Sequence, residues 1–438
     1  MKQKKLKLIL PIAARYSLAG NQSRWRYPPY SLIFLAGLTP PEFDIEIVDE
    51  NVDTLNMNDN PDLVGISCMT VTAKRGYEIS EQYRAKGIPV ILGGIHPTVV
   101  SEEAAQHADA IVVGEAENVW NELLDDFDAG KLRPVYKSDS YHNLSRIPTP
   151  RWDLVEKYRK KYTSFTTIQS TRGCPYDCEF CSTTVVCGKK IRTRPVKDVL
   201  NEIKKMKFDR LKPLIFYDDT INCIPSYAEE LFKGLIPLNI KWAGYATVNM
   251  TENEKLLNLA HKSGCVGLFV GFETIKKENQ RNMRKSSRLK FDYNEAINIF
   301  HKYKIGLLGA FLFGLDYDDS SVFEDTYEFI KESKLDSMTL NIVQPYPGTR
   351  FYNRLKEENR ITVHDWNNYI LDSLCYQPKN MTQDELINGF RWIYHKVSRL
   401  WPTTTRIVRN FLQRKNSGII ILAQNMGCRR TNKMIKKR

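Results

Sequence analysis

Three cysteines, Cys174, Cys178 and Cys181, stand in the run CPYDCEFC at a C-x3-C-x2-C spacing, on a chain that otherwise scatters its thiols. Thiolates select soft metals, so zinc and an iron–sulfur cluster are the two natural occupants. A structural zinc wants four closed ligands, usually in two paired knuckles, and no second pair follows. Cys187, six residues after Cys181, is the one nearby fourth donor, which keeps a four-cysteine site open. A cluster held by three cysteines alone would leave one iron exposed to another molecule.

Such a loop needs a scaffold, and the chain offers two. Strand candidates KLKLIL (5–10), FDIEIVD (43–49), DLVGISC (62–68), IPVILGG (88–94) and ADAIVVGE (108–115) alternate with amphipathic helical stretches. Continuous Val/Ile runs at this spacing predict a five-stranded, doubly wound parallel sheet of the flavodoxin-like kind. Ligands of such sheets bind beyond the carboxyl ends of the strands, where GGIHPT (93–98) and GEAEN (114–118) fall.

A proline-containing stretch of weak periodicity reads as a linker over 138–164. Six further βα units then follow. Their strands are FTTIQSTRG (165–173), PLIFYDD (213–219), IKWAGYATVN (240–249), CVGLFVGFET (265–274), GLLGAFLFGLD (306–316) and SMTLNIVQPYPG (337–348). Right-handed crossovers between parallel strands predict a partial (βα)6 barrel, with chemistry at its carboxyl ends. The cysteine run directly follows the first of these strands. The expected boundaries are 1–137, 138–164, 165–348 and a helical basic extension over 349–438.

The length of 438 residues and 42% hydrophobic content suit a globular protein of two or three units. No apolar run approaches the roughly 20 residues of a membrane span, and the amino-terminal apolar stretch is short for a secretory signal. Nine cysteines, three of them clustered, fit metal binding in the reducing cytoplasm. The net charge of +13 is local: residues 386–438 hold thirteen Lys/Arg and no Asp or Glu. Apolar residues at spacings of three, four and seven over 405–415 match a helix lying on an anionic membrane, on the inner face of the cell. The competing expectation is that the aromatics pack onto the barrel and the charges are solvated.

The cysteine loop, with Phe180 before its last cysteine and six βα units around it, resembles the radical S-adenosylmethionine superfamily over residues 165–348. The resemblance implies a [4Fe–4S] cluster on Cys174, Cys178 and Cys181, with S-adenosylmethionine chelating the unique iron and yielding a 5′-deoxyadenosyl radical. It implies Phe180, Asp218, Asp219, Gly271, Glu273 and Leu312 as S-adenosylmethionine contacts, with the two aspartates on the methionine amine, Glu273 on the ribose and Leu312 by the adenine. The usual Gly-Gly-Glu is replaced here by FYDDT. The structural alternatives are a helix N-cap for Asp218 and a solvated strand end for Glu273.

The amino-terminal unit resembles the cobalamin-binding domain that precedes the barrel in many of these enzymes, implying Ser67, Gly93, Gly94, His96, Gly114 and Glu115 near a corrinoid. It lacks the D-x-H-x-x-G motif, so the cobalt is expected without a histidine below it, and His96 as a loop residue and not a ligand. Residues 345–382 resemble the carboxy-terminal extension of members related to the hopanoid methylases.

These features converge on a radical enzyme, using a [4Fe–4S] cluster, S-adenosylmethionine and cobalamin, that methylates an unactivated carbon of a lipid-like or secondary-metabolite substrate. A one-electron donor such as flavodoxin or ferredoxin is then required. Rearrangement or ring closure by the same cofactors is the alternative within the class. A zinc-knuckle nucleic-acid-binding protein is the alternative outside it, and it leaves the six βα units without a purpose.

Overall fold

The computed structural model describes residues 3–13, 26–209, 212–283, 291–370, 372–413, 422 and 425–427. The amino-terminal unit is one parallel sheet of β1 (Lys4–Leu10), β2 (Phe43–Asp49), β3 (Leu63–Ser67), β4 (Val90–Gly93), β5 (Ala110–Val113) and β6 (Val135–Lys137), in the order β2-β1-β3-β4-β5-β6. β1 and β3 pair in register from Leu6↔Leu63 to Ile9↔Ile66, and their Leu, Ile and Val side chains are buried on both faces. The strand order reverses between β1 and β3, which opens a crevice at their carboxyl ends.

Two expectations need correction. The sheet has six strands: β6 pairs with β5 from Ile111↔Val135 to Val113↔Lys137, too short a strand to show periodicity. The stretch read as a linker is also not loose. Trp152–Lys161 forms 3-10 turns, and Val155, Tyr158, Tyr162 and Phe165 are buried in the core of the first unit. Tyr162 donates to Asp49 at 3.1 Å, so these residues are structurally part of the amino-terminal domain.

β7 (Thr167–Ile168) starts the second sheet. The chain then makes a small antiparallel pair, β8 (Thr171–Arg172) with β9 (Arg192–Thr193), around the cysteine loop. β10 (Leu214–Phe216), β11 (Trp242–Ala246), β12 (Cys265–Glu273), β13 (Gly306–Phe313) and β14 (Ser337–Ile342) complete the sheet in the order β14-β13-β12-β11-β10-β7. All five pairings are parallel and join consecutive strands, which makes an open six-stranded partial barrel as expected. Along β12 half-buried Phe269, Gly271 and Glu273 alternate with buried Val270 and Phe272, the mark of a strand with one face to a lumen and one to covering helices.

The carboxy-terminal extension returns across both units. Trp366 donates to Glu103 at 2.9 Å and hooks the extension to the first domain. The helix Gln383–Val397 starts with a capping box between Thr382 and Glu385 and buries Leu386, Phe390, Ile393 and Val397 against the barrel. A further helix spans Leu400–Gln413. Among the described residues no helix is long and apolar enough to cross a membrane.

Candidate active site

The cysteine loop is held at both ends by contacts from distant parts of the chain. Gly173 N–H donates to Asp219 at 2.9 Å, Cys174 N–H to the Gly188 carbonyl at 3.2 Å, and Cys181 N–H to the Cys178 carbonyl at 3.1 Å. From the far side Arg350 pairs with Asp177 at 3.1 Å, Arg354 with Glu179 at 3.1 Å, and Phe351 N–H donates to the Glu179 carbonyl at 2.9 Å. Arg350 and Arg354 lie one turn apart on the helix Arg350–Glu357, so one face grips both acids of the loop. The sequence reading missed these braces. The opposite charges in YDCEF and TRFYNR were the available signal.

Cys174, Cys178 and Cys181 are half-buried, and none of the described cysteines is in a disulfide. A hydrogen bond from Cys223, a residue the sequence reading did not single out, and one from the Tyr176 backbone bring the Cys174 thiol down to about 7 against the cost of burial. Burial pushes the Cys187 thiol up to about 12 instead. Among the described residues no three His, Cys, Asp or Glu side chains converge as a single metal ion requires. Three half-buried soft donors on one braced loop suit the iron–sulfur cluster that the resemblance implies.

Beyond the carboxyl ends of β3, β4 and β5 lies a cavity of ≈ 370 Å³. Ser67, Gly93, Gly94, Gly114 and Glu115 line it on one side, and Arg172, Val186, Cys187 and Tyr217 of the second unit wall it on the other. Gly94 has φ +96°, and a Cβ there would come within 2.8 Å of the Cys68 carbonyl oxygen. Toward the sheet the lining is apolar, with Leu8, Ile66, Ile91 and Val112 beside Trp120. A chamber that removes side chains near its mouth and runs into an apolar cleft between strands fits cobalamin, a broad ring with a nucleotide tail.

His96 does not face this cavity. It sits in the five-residue helix Ile95–Val99, fully buried, with Nε2 at 2.9 Å from the Tyr77 hydroxyl and its ring edge-on to Trp366 at 5.3 Å. Burial lowers its pKa and keeps it neutral, so its 3.7 Å approach to Glu103 is not an ion pair. His96, expected as a loop residue near the corrinoid and not as a cobalt ligand, thus packs between Tyr77 and Trp366.

Glu115 lines the cavity through a charge network across the domain boundary. Arg192 donates to its two oxygens at 2.7 and 2.6 Å, His142 N–H at 2.9 Å, and Arg172 lies at 3.1 Å. Burial would raise the Glu115 carboxyl, but Arg192 and Arg172 hold it below its ordinary range. Arg172 also donates to Glu117 at 2.6 Å, and Arg192 to the Cys187 carbonyl at 3.0 Å. Cobalamin-side loop and cysteine-side loop are thus joined through two partly buried guanidinium groups.

The remaining expected contacts divide. Asp218 is fully buried; one oxygen accepts from Ser170 N–H at 2.6 Å, the other from the Ser170 hydroxyl and, at 3.0 Å, from the Thr171 hydroxyl. Burial raises its carboxyl to about 6 despite these donors. It braces the β7–β8 turn through Ser170 and Thr171, while its contact to the methionine amine remains an expectation from the resemblance. Asp219 holds the cysteine loop through Gly173. Gly271, Glu273 and Leu312 lie on lumen-facing positions of neighbouring strands, and Phe180 packs partly against the barrel core. Glu273 has φ +67°, and a side chain at Gly271 would collide with its carboxylate. A non-glycine residue in that region is strained, a cost that accumulates at functional sites.

Known proteins show the same two-part organisation. Residues 32–124 match the B12 binding domain, and residues 168–330 match the Radical SAM superfamily. The chain is 32% identical to a bacteriochlorophyllide d C-12(1)-methyltransferase of Chlorobaculum tepidum, over 83% of this chain and 80% of that one. It is 27% identical to a hopanoid C-2 methylase of Rhodopseudomonas palustris, over 78% of this chain and 66% of that one. The solved cobalamin-dependent S-adenosylmethionine radical enzyme OxsB with aqua-cobalamin and S-adenosylmethionine bound shares the fold. It superposes with a TM-score of 0.71 at 15% identity, over 96% of this chain and 72% of that one.

Proposed function

The chain belongs to the cobalamin-dependent radical S-adenosylmethionine methyltransferases, and on that premise we propose that it methylates an unactivated carbon of a bulky, largely apolar, lipid-like substrate. The observation that carries this reading is the single cavity walled by the glycines of the first sheet and by Arg172, Val186, Cys187 and Tyr217 of the second unit. When bound, cobalamin supplies the methyl group and the cluster with S-adenosylmethionine supplies a carbon-centred radical that can take hydrogen from an unreactive C–H bond.

The chain's own residues do the rest. Cys174, Cys178 and Cys181 would hold the cluster, while Asp219, Arg350 and Arg354 keep the loop in place. Gly271, Glu273 and Leu312 would receive the nucleoside at the barrel lumen. Gly93, Gly94 and Gly114 would let the corrin ring approach the strand ends. Tyr217 packs edge-on to Tyr27 at 5.6 Å, and Tyr245 lies against Phe269 at 5.1 Å. These rings keep water from a radical that water-borne donors would quench, and they offer flat apolar surface to a ring-shaped substrate. The names of the relatives, which specify a bacteriochlorophyllide and a hopanoid, support a substrate of this character. A one-electron donor such as flavodoxin or ferredoxin would serve the cluster in the reducing cytoplasm. The basic carboxy-terminal segment would hold the enzyme to the inner membrane face.

The test is incubation of the anaerobically reconstituted enzyme with cobalamin, a one-electron reductant, trideuteromethyl-labelled S-adenosylmethionine and extract of its own cells. The expected result is an apolar product heavier by one labelled methyl group. A product of rearranged or ring-closed skeleton without the label would overturn methyl transfer in favour of the other cobalamin-type reaction.

A further inference from the structure

The helix Leu400–Gln413 is mounted with its polar side inward. Helices on soluble bodies turn an apolar stripe to the core, as the preceding helix Gln383–Val397 does with Leu386, Phe390, Ile393 and Val397. Here the buried side chains are Thr403, Arg406 and Asn410. Arg406 donates to Asn425 at 2.8 Å and to the Val397 carbonyl at 2.7 Å. Arg409 donates to the Leu335 carbonyl at 2.9 Å, and Asn410 to Asp336 at 3.2 Å. Turning the helix over would strip these buried groups of their partners, so the orientation is set by polar contacts.

The outward side is consequently apolar. Trp401 is 81% exposed and Leu412 78%, with Val408 between them and Leu400 and Phe411 alongside. Trp401, Thr405, Val408 and Leu412, four, three and four residues apart, make one stripe along the helix. Along the sequence, residues 386–438 hold thirteen Lys/Arg and no Asp or Glu. A second copy of this face would bring the same charge against itself, whereas an anionic leaflet is complementary to it. A tryptophan beside basic residues also suits the boundary between headgroups and acyl chains.

We propose that the face carrying Leu400, Trp401, Val408, Phe411 and Leu412 seats the enzyme on an anionic lipid bilayer, the apolar stripe entering the headgroup boundary and the basic composition of residues 386–438 supplying the attraction. This deepens the reading of membrane attachment and is independent of the reaction. It also orients the enzyme. The helix is tied to Leu335 and Asp336, which precede β14, and so to the amino-terminal end of a barrel whose cysteine loop lies at the carboxyl end. The substrate therefore does not enter through the attached face.

The test is sedimentation of the full-length protein with vesicles of phosphatidylcholine alone or with phosphatidylglycerol added, across a salt series. The wild type should bind the phosphatidylglycerol vesicles, release as salt rises and ignore neutral ones. Trp401→Ser with Leu412→Ser should weaken binding by roughly tenfold or more, since each removes apolar surface from the boundary. Both positions are exposed, and unchanged thermal unfolding would verify the fold. Equal binding by wild type and the double variant would overturn the proposal and leave attachment by charge alone. Failure of the wild type to bind either vesicle would overturn the proposal and membrane attachment together. A concentration-dependent dimer in analytical ultracentrifugation that the double variant abolishes would assign the face to a second copy instead. None of these readouts needs cofactor or substrate, so a failed methyl-transfer assay does not touch them.

Discussion

The two strand ends that face each other across the central cavity are built by opposite means. On the first sheet the site is made by leaving side chains out, with Gly93, Gly94 and Gly114 at the strand ends and apolar residues behind them. At the barrel the site is made by adding side chains, with Asp219, Arg350, Arg354 and the Arg172–Glu115–Arg192 network fixing a loop that has little regular structure of its own. A large, flat ligand needs room and a close backbone. A compact cluster needs its ligands held in place. The difference also predicts how each site fails.

The largest effect belongs to the cysteines. Replacing Cys174, Cys178 or Cys181 by Ala should abolish iron binding, since each removes one of three ligands. Cys187→Ala should retain it, because Cys187 lies outside the C-x3-C-x2-C loop and its thiol is pushed up to about 12. Iron and sulfide content with visible absorption after anaerobic reconstitution measures this. Equal loss in Cys187→Ala would show a four-ligand site and break the comparison at the barrel.

Next comes Gly94→Ala. It forces a Cβ onto a backbone at φ +96° and toward the Cys68 carbonyl oxygen, at a local cost of about 1–3 kcal/mol. Cobalamin affinity, read by absorption titration, should fall well over tenfold while iron content stays at the wild-type level. Loss of iron in parallel would mean that the two ends are not separately built.

Arg192→Lys should have the smallest effect. It keeps the charge but loses the paired bonds to Glu115, and Arg172 still partners that carboxylate. An affinity loss of about 1 kcal/mol for cobalamin is expected, with Arg192→Ala losing about 2 kcal/mol or more. No difference between the two variants in the same titration would remove the bidentate geometry from the account of how the domains are joined.

Both scaffolds were legible because their signals are local. Val/Ile runs between helical stretches mark buried parallel strands wherever they occur, and six of them in series mark the barrel. The thiol spacing likewise lies within eight residues. What escaped was every role set by a partner far along the chain. Asp218 reads as a contact for the methionine amine, and only the fold shows that its oxygens also accept from Ser170 and Thr171, nearly fifty residues earlier. His96 reads as a loop residue, and only the fold shows it buried against Trp366. The stretch 138–164 reads as a linker until Val155, Tyr158 and Tyr162 are found in the first core.

Sequence alone therefore determined the donor set, the strand inventory and the strongly basic carboxy-terminal segment, since these depend on residue type and short spacing. Tertiary structure decided which groups are used up in holding the fold and which are left for a ligand. Two helices of the extension show the reason. Both carry apolar and polar residues at helical spacing, yet Gln383–Val397 turns its apolar side inward and Leu400–Gln413 turns it outward. A helix face has no inside until another surface meets it. For the second helix that surface offers Asp336 and backbone carbonyls to Arg409 and Asn410, and so takes the polar side.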